Sequence, residues 1–171
     1  MKKGLILAAV TLLSACTGLP EGIEPVKNFE PERYLGTWYE IARLDHSFER
    51  GMNKVTADYS LREDGGLRVI NRGYDTDSRE WKEAEGKAYF VNNRDEGHLK
   101  VSFFGPFYGS YAIFELDREK YQYAFIAGNS TDYLWLLART PSVSEQVLRQ
   151  FKSQSESLGF PTEELIYVDH K

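Results

Sequence analysis

The sequence predicts an all-β domain, an eight-stranded antiparallel up-and-down β-barrel with one C-terminal α-helix and a short ninth strand. Three observations support this fold class. Turn signals divide the chain between Gly36 and Arg139 into eight short segments. No helix-length apolar periodicity interrupts them, and apolar residues alternate with polar ones in several of them. Closing the sheet removes its two exposed edges, which favours a barrel over the alternative, a two-layer sandwich.

Length and charge limit the other possibilities. A chain of 171 residues is long enough to bury a good core and favours one domain. The formal net charge is −5, and no clustered basic stripe is visible, so the composition argues against a nucleic-acid-binding protein.

The N-terminus carries a processing signal. Lys2 and Lys3 precede an apolar stretch that is too short to span a bilayer, and small residues then lead to Cys16. This pattern predicts a signal peptide over residues 1–15. The segment resembles the lipobox of bacterial lipoproteins, which implies cleavage before Cys16 followed by N-acylation and S-diacylglycerol attachment at that residue. An ordinary secretory signal with a chance cysteine is the alternative.

The lipobox resemblance also implies a location. Thr17 follows the cysteine where an aspartate would retain a bacterial lipoprotein at the inner membrane. The resemblance therefore implies a lipid-anchored protein in the periplasm-facing leaflet of the bacterial outer membrane. Several acyl chains anchor a protein far more firmly than one does, so we expect membrane attachment through acylated Cys16 to be permanent.

The predicted domain follows a tether. Residues 16–27 form the lipidated N-terminus and a tether that is rich in Gly and Pro and is expected to bury little. Residues 28–171 form the barrel domain, which begins with a short helical turn around Pro31.

The elements after the barrel are also visible in the sequence. Ser142 and Glu145 form a predicted capping box, and Gly159 ends the predicted helix. Its apolar stripe consists of Val143, Val147, Leu148, Phe151 and Leu158. The final apolar run, 165–168, predicts a ninth strand beside the first.

Small residues on the inner face indicate a cavity. On the fourth strand, Ala84, Gly86 and Ala88 share one face, where a filled core requires large side chains. We therefore predict a hollow upper barrel, and the alternative is that the neighbouring aromatic residues fill it. The predicted cavity lining comprises Ala57, Tyr59, Val69, Asn71, Ala84, Gly86, Ala88, Val101, Phe103, Tyr111 and Trp135.

Three short motifs occur in order along the predicted strands. They are Gly36-Thr37-Trp38-Tyr39 at the first strand, Thr131-Asp132-Tyr133 before the eighth, and Arg139 at the end of the eighth. With these three motifs in this order, the chain resembles the lipocalin family, and more closely its bacterial outer-membrane lipoprotein branch. The resemblance implies that Arg139 packs across Trp38 at the closed end of the barrel, so that these motif residues are structural rather than ligand-binding.

Catalytic and metal-binding patterns are not found in the sequence. The three histidines have no metal-ligand spacing, and no Gly-x-Ser-x-Gly motif occurs. His46 is expected to be a solvated loop residue, and no serine is expected next to a histidine. Glu40 and Glu115 are candidates for inward-facing acids, for which a structural role is favoured. We predict no enzyme, no cofactor and no metal.

The loops at the open end of the predicted barrel contain apolar residues. Phe48, Met52, Phe107 and Tyr108 either form a lipid-facing or self-associating surface or fold inward over the core. A homodimer through these loops or through a barrel face is compatible with the sequence.

The resemblance implies a ligand class. We predict a lipid-anchored protein that binds an amphipathic lipid, a fatty acid or a lysophospholipid, in the barrel for storage or transport in the cell envelope. Tyr59, Tyr111 or Asn71 offers hydrogen bonds to its polar head. Two alternatives remain, an enzyme acting on a lipid or pigment in the same cavity and a partner-binding envelope lipoprotein.

Overall fold

The computed structural model describes residues 18–171, so the predicted signal peptide and Cys16 lie outside the described residues. The elements, in chain order, are α1 (Pro31–Tyr34), β1 (Gly36–Arg43), β2 (Met52–Leu61), β3 (Leu67–Asp75), β4 (Glu80–Phe90), β5 (His98–Phe104), β6 (Phe107–Leu116), β7 (Tyr123–Ala127), β8 (Leu134–Ala138), α2 (Glu145–Ser157), a 3₁₀ turn (Thr162–Glu164) and β9 (Ile166–Tyr167).

The strands form a closed antiparallel barrel. Each strand from β1 to β8 pairs with the next, and β1 also pairs with β8, which closes the sheet. β9 extends the sheet beside β1 through the pairs Ala42–Tyr167 and Arg43–Ile166. The predicted fold class is confirmed. The connections after β1, β3, β5 and β7 lie at one end, the open end, and those after β2, β4 and β6 lie at the closed end together with α1.

Two apolar layers stabilise the barrel. One lies inside the barrel, and the other lies between its outer face and α2, where Phe151 packs edge-on against Phe125 with ring centroids 5.0 Å apart. The five residues of the predicted apolar stripe all pack in this outer layer. An amphipathic helix buries its apolar side in this way, and most of its stability comes from that packing.

The predicted cap of α2 is wrong by two residues. The N-cap is Ser144, whose Oγ accepts from Val147 N at 3.3 Å, whereas the Ser142 carbonyl accepts from Thr140 Oγ1 at 2.7 Å. Ser142 is therefore part of the turn before the helix. Gly159 follows the helix with a φ of +85°, a conformation that favours glycine.

The described part of the predicted tether, residues 18–27, is partly packed against the barrel. Ile23 joins the outer layer and Val26 joins the interior layer, so the expectation that this segment buries little is wrong. Val26 also bonds to β6 and to the residue before β5, because its N–H donates to Ile113 O and its carbonyl accepts from Gly97 N, both at 2.8 Å. Backbone pairing of this kind holds the segment at the closed end of the barrel.

Candidate functional site in the barrel interior

Trp38 and Arg139 seal the closed end. The guanidinium carbon of Arg139 lies 4.0 Å from the centroid of the fully buried Trp38 ring. Arg139 also donates to the carbonyls of Thr37 at 3.0 Å and Arg33 at 2.8 Å. This is the contact that the family resemblance implied, and it leaves neither side chain free to meet a ligand in the upper barrel.

Three tyrosines form the layer above Trp38. The Tyr111 hydroxyl lies 2.7 Å from the Tyr34 hydroxyl and 2.9 Å from the Tyr59 hydroxyl. Burial raises the pKa of all three phenols, so they are neutral hydrogen-bonding groups. Because Tyr59 and Tyr111 bond each other, their hydroxyls are less available to a ligand head group than the sequence suggested.

The predicted cavity residues all lie on the inner face of the barrel. Ala57, Asn71 and Ala84 are directly opposite one another on β2, β3 and β4, and the other eight join the interior cluster or pair with its members. These residues differ in how deeply they are buried. Ala57, Tyr59, Val69 and Ala88 belong to the closed core, whereas the half-buried members are Asn71, Val101, Phe103, Tyr111 and Trp135.

The small residues of β4 differ in what faces them. Ala84 is exposed although it lies on the inner face, so the upper interior is open at this wall. Gly86 is buried, because a Cβ there would lie 2.8 Å from the ring of Phe103. Phe103 therefore fills the space above Gly86, while the space beside Ala84 stays accessible. The ligand-binding role of these residues remains a prediction.

The opposite wall carries a group of ionisable residues, of which the sequence analysis indicated only Glu40 as an inward-facing acid. We call Glu40, Arg43, His46 and Glu49 the polar cluster; all four are at least 91% buried. Arg43 Nη1 donates to Glu40 Oε1 at 2.7 Å, and Arg43 Nη2 donates to the Glu49 carbonyl at 2.8 Å. The first loop of the open end, between β1 and β2, is therefore fastened to the barrel wall.

Glu49 connects that loop to β8. Trp135 Nε1 donates to Glu49 Oε2 at 3.1 Å. His46 Nε2 lies 2.9 Å from the same oxygen, close enough for an ion pair but not aligned as a hydrogen bond. His46 is buried against the Trp135 ring, with centroids 5.2 Å apart, so the expectation of a solvated histidine is wrong.

The two carboxyl groups of the polar cluster have opposite electrostatic surroundings. Burial, followed by the charge of Glu49, raises the pKa of Glu40 well above its ordinary value, although Arg43 opposes this. Burial also acts to raise the pKa of Glu49, but the nearby His46 and the Trp135 N–H outweigh it and lower that pKa. The pair therefore tends to hold one proton, with Glu49 as the more acidic member.

The remaining candidates for chemistry lie outside the barrel interior. Glu115 Oε2 accepts from Gln154 Nε2 of α2 at 3.1 Å, so this acid faces the helix. His98 Nε2 lies 3.0 Å from Ser110 Oγ, which corrects the expectation that no serine neighbours a histidine. His98 and Ser110 are both buried on the outer face of the barrel. Among residues 18–171 no group of three or more His, Cys, Asp or Glu side chains is arranged to hold a metal ion.

The open-end loops present aromatic residues to solvent. Phe107 is 77% exposed and Phe48 is 64% exposed, whereas Met52 and Tyr108 are half-buried. Phe104, which the sequence reasoning did not single out, is 72% exposed beside Phe107. Phe48 and Phe107 are therefore exposed at the surface and do not fold inward over the core.

Comparison with known proteins agrees with this geometry. The family model described as a lipocalin-like domain matches residues 29–170. This chain belongs to the lipocalin family. It is 60% identical over 167 residues to the outer membrane lipoprotein Blc of Vibrio cholerae, covering 98% of this chain and 97% of that protein. It is 51% identical over 168 residues to Blc of Escherichia coli K12, with 95% and 94% covered.

A solved lipocalin structure shows the same fold. Insecticyanin from the tobacco hornworm superposes with a TM-score of 0.71 at 18% sequence identity, covering 90% of this chain and 87% of that one. This likeness concerns the fold alone. Within the described part of the chain, none of the helices has the length and apolar character needed to cross a membrane.

Proposed function

We propose that this lipocalin binds a single-chain amphipathic lipid, a fatty acid or a lysophospholipid, inside its barrel and stores or carries it in the cell envelope. The observation that carries the proposal is the accessible inner wall at Ala84, next to the half-buried Asn71. An apolar interior that stays accessible and is bordered by a few polar groups is the usual form of a lipid site in a small barrel.

The closed core limits how deep such a ligand can reach. The hydroxyl-bonded tyrosines lie directly above Trp38, and the Tyr34 and Trp38 rings are only 4.5 Å apart. The hydrocarbon tail would therefore occupy the upper interior between β4 and β8, and the polar head would lie toward the open end. We propose that the protein acts by binding and not by catalysis, since its buried Ser110–His98 contact lies on the outer face of the barrel.

Membrane attachment is part of the proposal. We propose that the mature protein begins at Cys16, carries acyl chains there and faces the periplasm from the outer membrane. The lipobox resemblance supports this, as do the two Blc relatives, which are named outer membrane lipoproteins. A homodimer is compatible with the exposed aromatic loops. Intact-mass analysis of the N-terminal peptide tests the anchor: an acylated Cys16 supports it, and a free thiol contradicts it.

The ligand is tested by native mass spectrometry and lipid extraction of protein isolated from its own envelope in mild detergent. A bound species with the mass of a one-chain lipid is expected. An empty barrel that also rejects added fatty acids and lysophospholipids would contradict the proposal. Product formation from added lipids or pigments would instead favour the catalytic alternative.

A further inference from the structure

The polar cluster lacks one positive charge. It contains two carboxylates, Glu40 and Glu49, and a single permanent cation, Arg43, which pairs with Glu40. Within residues 18–171, the other residue that pairs with either carboxylate is His46, whose imidazole is not a permanent cation. The net charge of the cluster is therefore −1 when no extra proton is bound, at a site where burial makes an uncompensated charge costly.

The surrounding groups do not supply the missing charge. Asp45 and Arg50 stand on the solvent side of the same loop and pair with each other at 2.7 Å. Tyr59 approaches from β2 but is a neutral phenol whose pKa burial raises further. Arg43 is already committed, because its Nη2 bonds the backbone carbonyls of Glu49 and Met52 at 2.8 and 3.2 Å.

A second observation concerns His46, which is 93% buried. Its Nδ1 has no hydrogen-bond partner among the described residues, an expensive condition for a buried polar atom. Three aromatic rings surround the imidazole, those of Trp135, Phe48 and Tyr133, with centroids between 5.2 and 6.0 Å away. Aromatic faces next to a carboxylate are the surroundings that favour a quaternary or primary ammonium group.

We propose that the polar cluster is a subsite for the ammonium group of the ligand, so that the barrel prefers ammonium-bearing amphiphiles to anionic ones of equal chain length. This inference rests on the proposed lipid-binding function. Trp135 connects the polar cluster to the accessible interior. Its indole N–H donates to Glu49, and its half-buried ring faces the interior.

The proposal predicts that ligand binding is linked to a proton. In the empty barrel the missing charge is supplied by a proton on Glu40, and an ammonium group takes its place when the ligand binds. Raising the pH removes the competing proton. The affinity for an ammonium ligand therefore increases by up to about tenfold per pH unit, while that for a neutral ligand is unchanged.

The test uses three ligands that share one hexadecyl chain: hexadecyltrimethylammonium, hexadecanol and hexadecanoate. Each displaces a fluorescent fatty acid from the full mature protein below its micelle concentration, between about pH 6 and pH 8. We expect the ammonium compound to bind more tightly than the alcohol and the carboxylate more weakly, with the ammonium-to-alcohol affinity ratio growing by at most about tenfold for each pH unit.

Two variants locate the effect. Glu49→Gln keeps the shape of the side chain and removes its charge, so the ratio is expected to fall to near one and to lose its pH dependence. Glu40→Gln is the second variant, in case Glu49→Gln fails to fold. The control is Glu115→Gln, the same change in an acid that faces α2 outside the barrel, and it is expected to leave the ratio unchanged.

The outcomes separate this inference from the function on which it rests. Equal binding of the ammonium compound and the alcohol at both ends of the pH range would overturn the ammonium subsite and leave lipid binding intact. The same conclusion follows if both glutamine variants keep the wild-type ratio. If none of the three ligands binds, the proposed lipid-binding function fails and the subsite fails with it.

Discussion

Two arginines hold opposite ends of the barrel, and they do so in different ways. Arg139 at the closed end stays partly exposed, covers the Trp38 ring and donates to backbone carbonyls without a carboxylate partner. Arg43 near the open end is 99% buried and pairs with Glu40. A cation that keeps contact with water needs no counter-charge, whereas a buried one does. The requirement for a counter-charge places acids inside the open half of the barrel.

The largest expected effect comes from removing the side-chain acceptor of the buried arginine. Glu40→Ala leaves the buried Arg43 Nη1 without its acceptor at 2.7 Å, which should lower the free energy of unfolding by about 3 kcal/mol. Urea denaturation measures it. The matched control is Asp58→Ala at the closed end, an exposed acid whose charge acts on Arg139, with an expected loss below about 1 kcal/mol. Equal losses would show that both arginines depend on acids.

Removing the closed-end arginine should have an intermediate effect. Arg139→Ala loses the cation–π contact with Trp38 and hydrogen bonds to the Thr37 and Arg33 carbonyls, for an expected loss of about 2 kcal/mol. Urea denaturation again measures it, with lipid affinity as the second readout. Affinity should be unchanged, since this contact lies below the tyrosines, and a large loss of affinity without loss of stability would contradict this assignment.

The two small residues of β4 distinguish filled from open interior space. Gly86→Ala places a Cβ against the Phe103 ring and the Ser102 carbonyl, at 2.8 and 2.9 Å, so we expect a loss of about 1–2 kcal/mol in unfolding free energy. Ala84→Leu enters accessible space and should change stability by less than about 0.5 kcal/mol while weakening lipid binding. A destabilising Ala84→Leu would indicate that the upper barrel is filled.

The smallest effect is a change in pH dependence. Because the folded-state pKa of Glu40 lies above its ordinary value of 4.5, its contribution to stability is full below that value and is lost as the pH rises through the raised pKa. Glu40→Gln mimics the protonated form. The variant should therefore gain stability relative to the wild type as the pH rises above about 5. Thermal unfolding of both proteins over this range measures the difference, and parallel curves would contradict the raised pKa.

Much of the fold is predictable because local signals and long-range pairing agree. Turn residues mark the strand ends, alternation marks the inner face, and the ninth strand follows from a short apolar run beside β1. The helix cap was misplaced because Ser142 and Ser144 both satisfy the local preference. The Thr140 hydroxyl donates to the Ser142 carbonyl in the turn before the helix, and Ser144 is the N-cap.

The polar cluster is not predictable from the sequence pattern. Glu40 and Arg43 are three residues apart, which places them on opposite faces of a regular strand. A register shift between Glu40 and Ala42 adds one residue to β1 and turns both side chains inward. His46 and Glu49 lie on a loop, where no periodicity indicates a direction. Their burial follows from contacts with Trp135, a residue almost ninety positions away along the chain.

The central claim, that a lipid tail occupies the upper interior, can be tested with the three tryptophans of the chain. Trp135 lines this space, Trp38 is sealed beneath the tyrosines, and Trp81 is 50% exposed on the outer face of β4. Fluorine NMR of protein labelled with fluorotryptophan gives one signal for each, and a bound amphiphile with a nitroxide on its tail broadens the nearest. We expect strong broadening of the Trp135 signal and little broadening of the Trp81 signal. Broadening of Trp81 alone, or of neither, would contradict it.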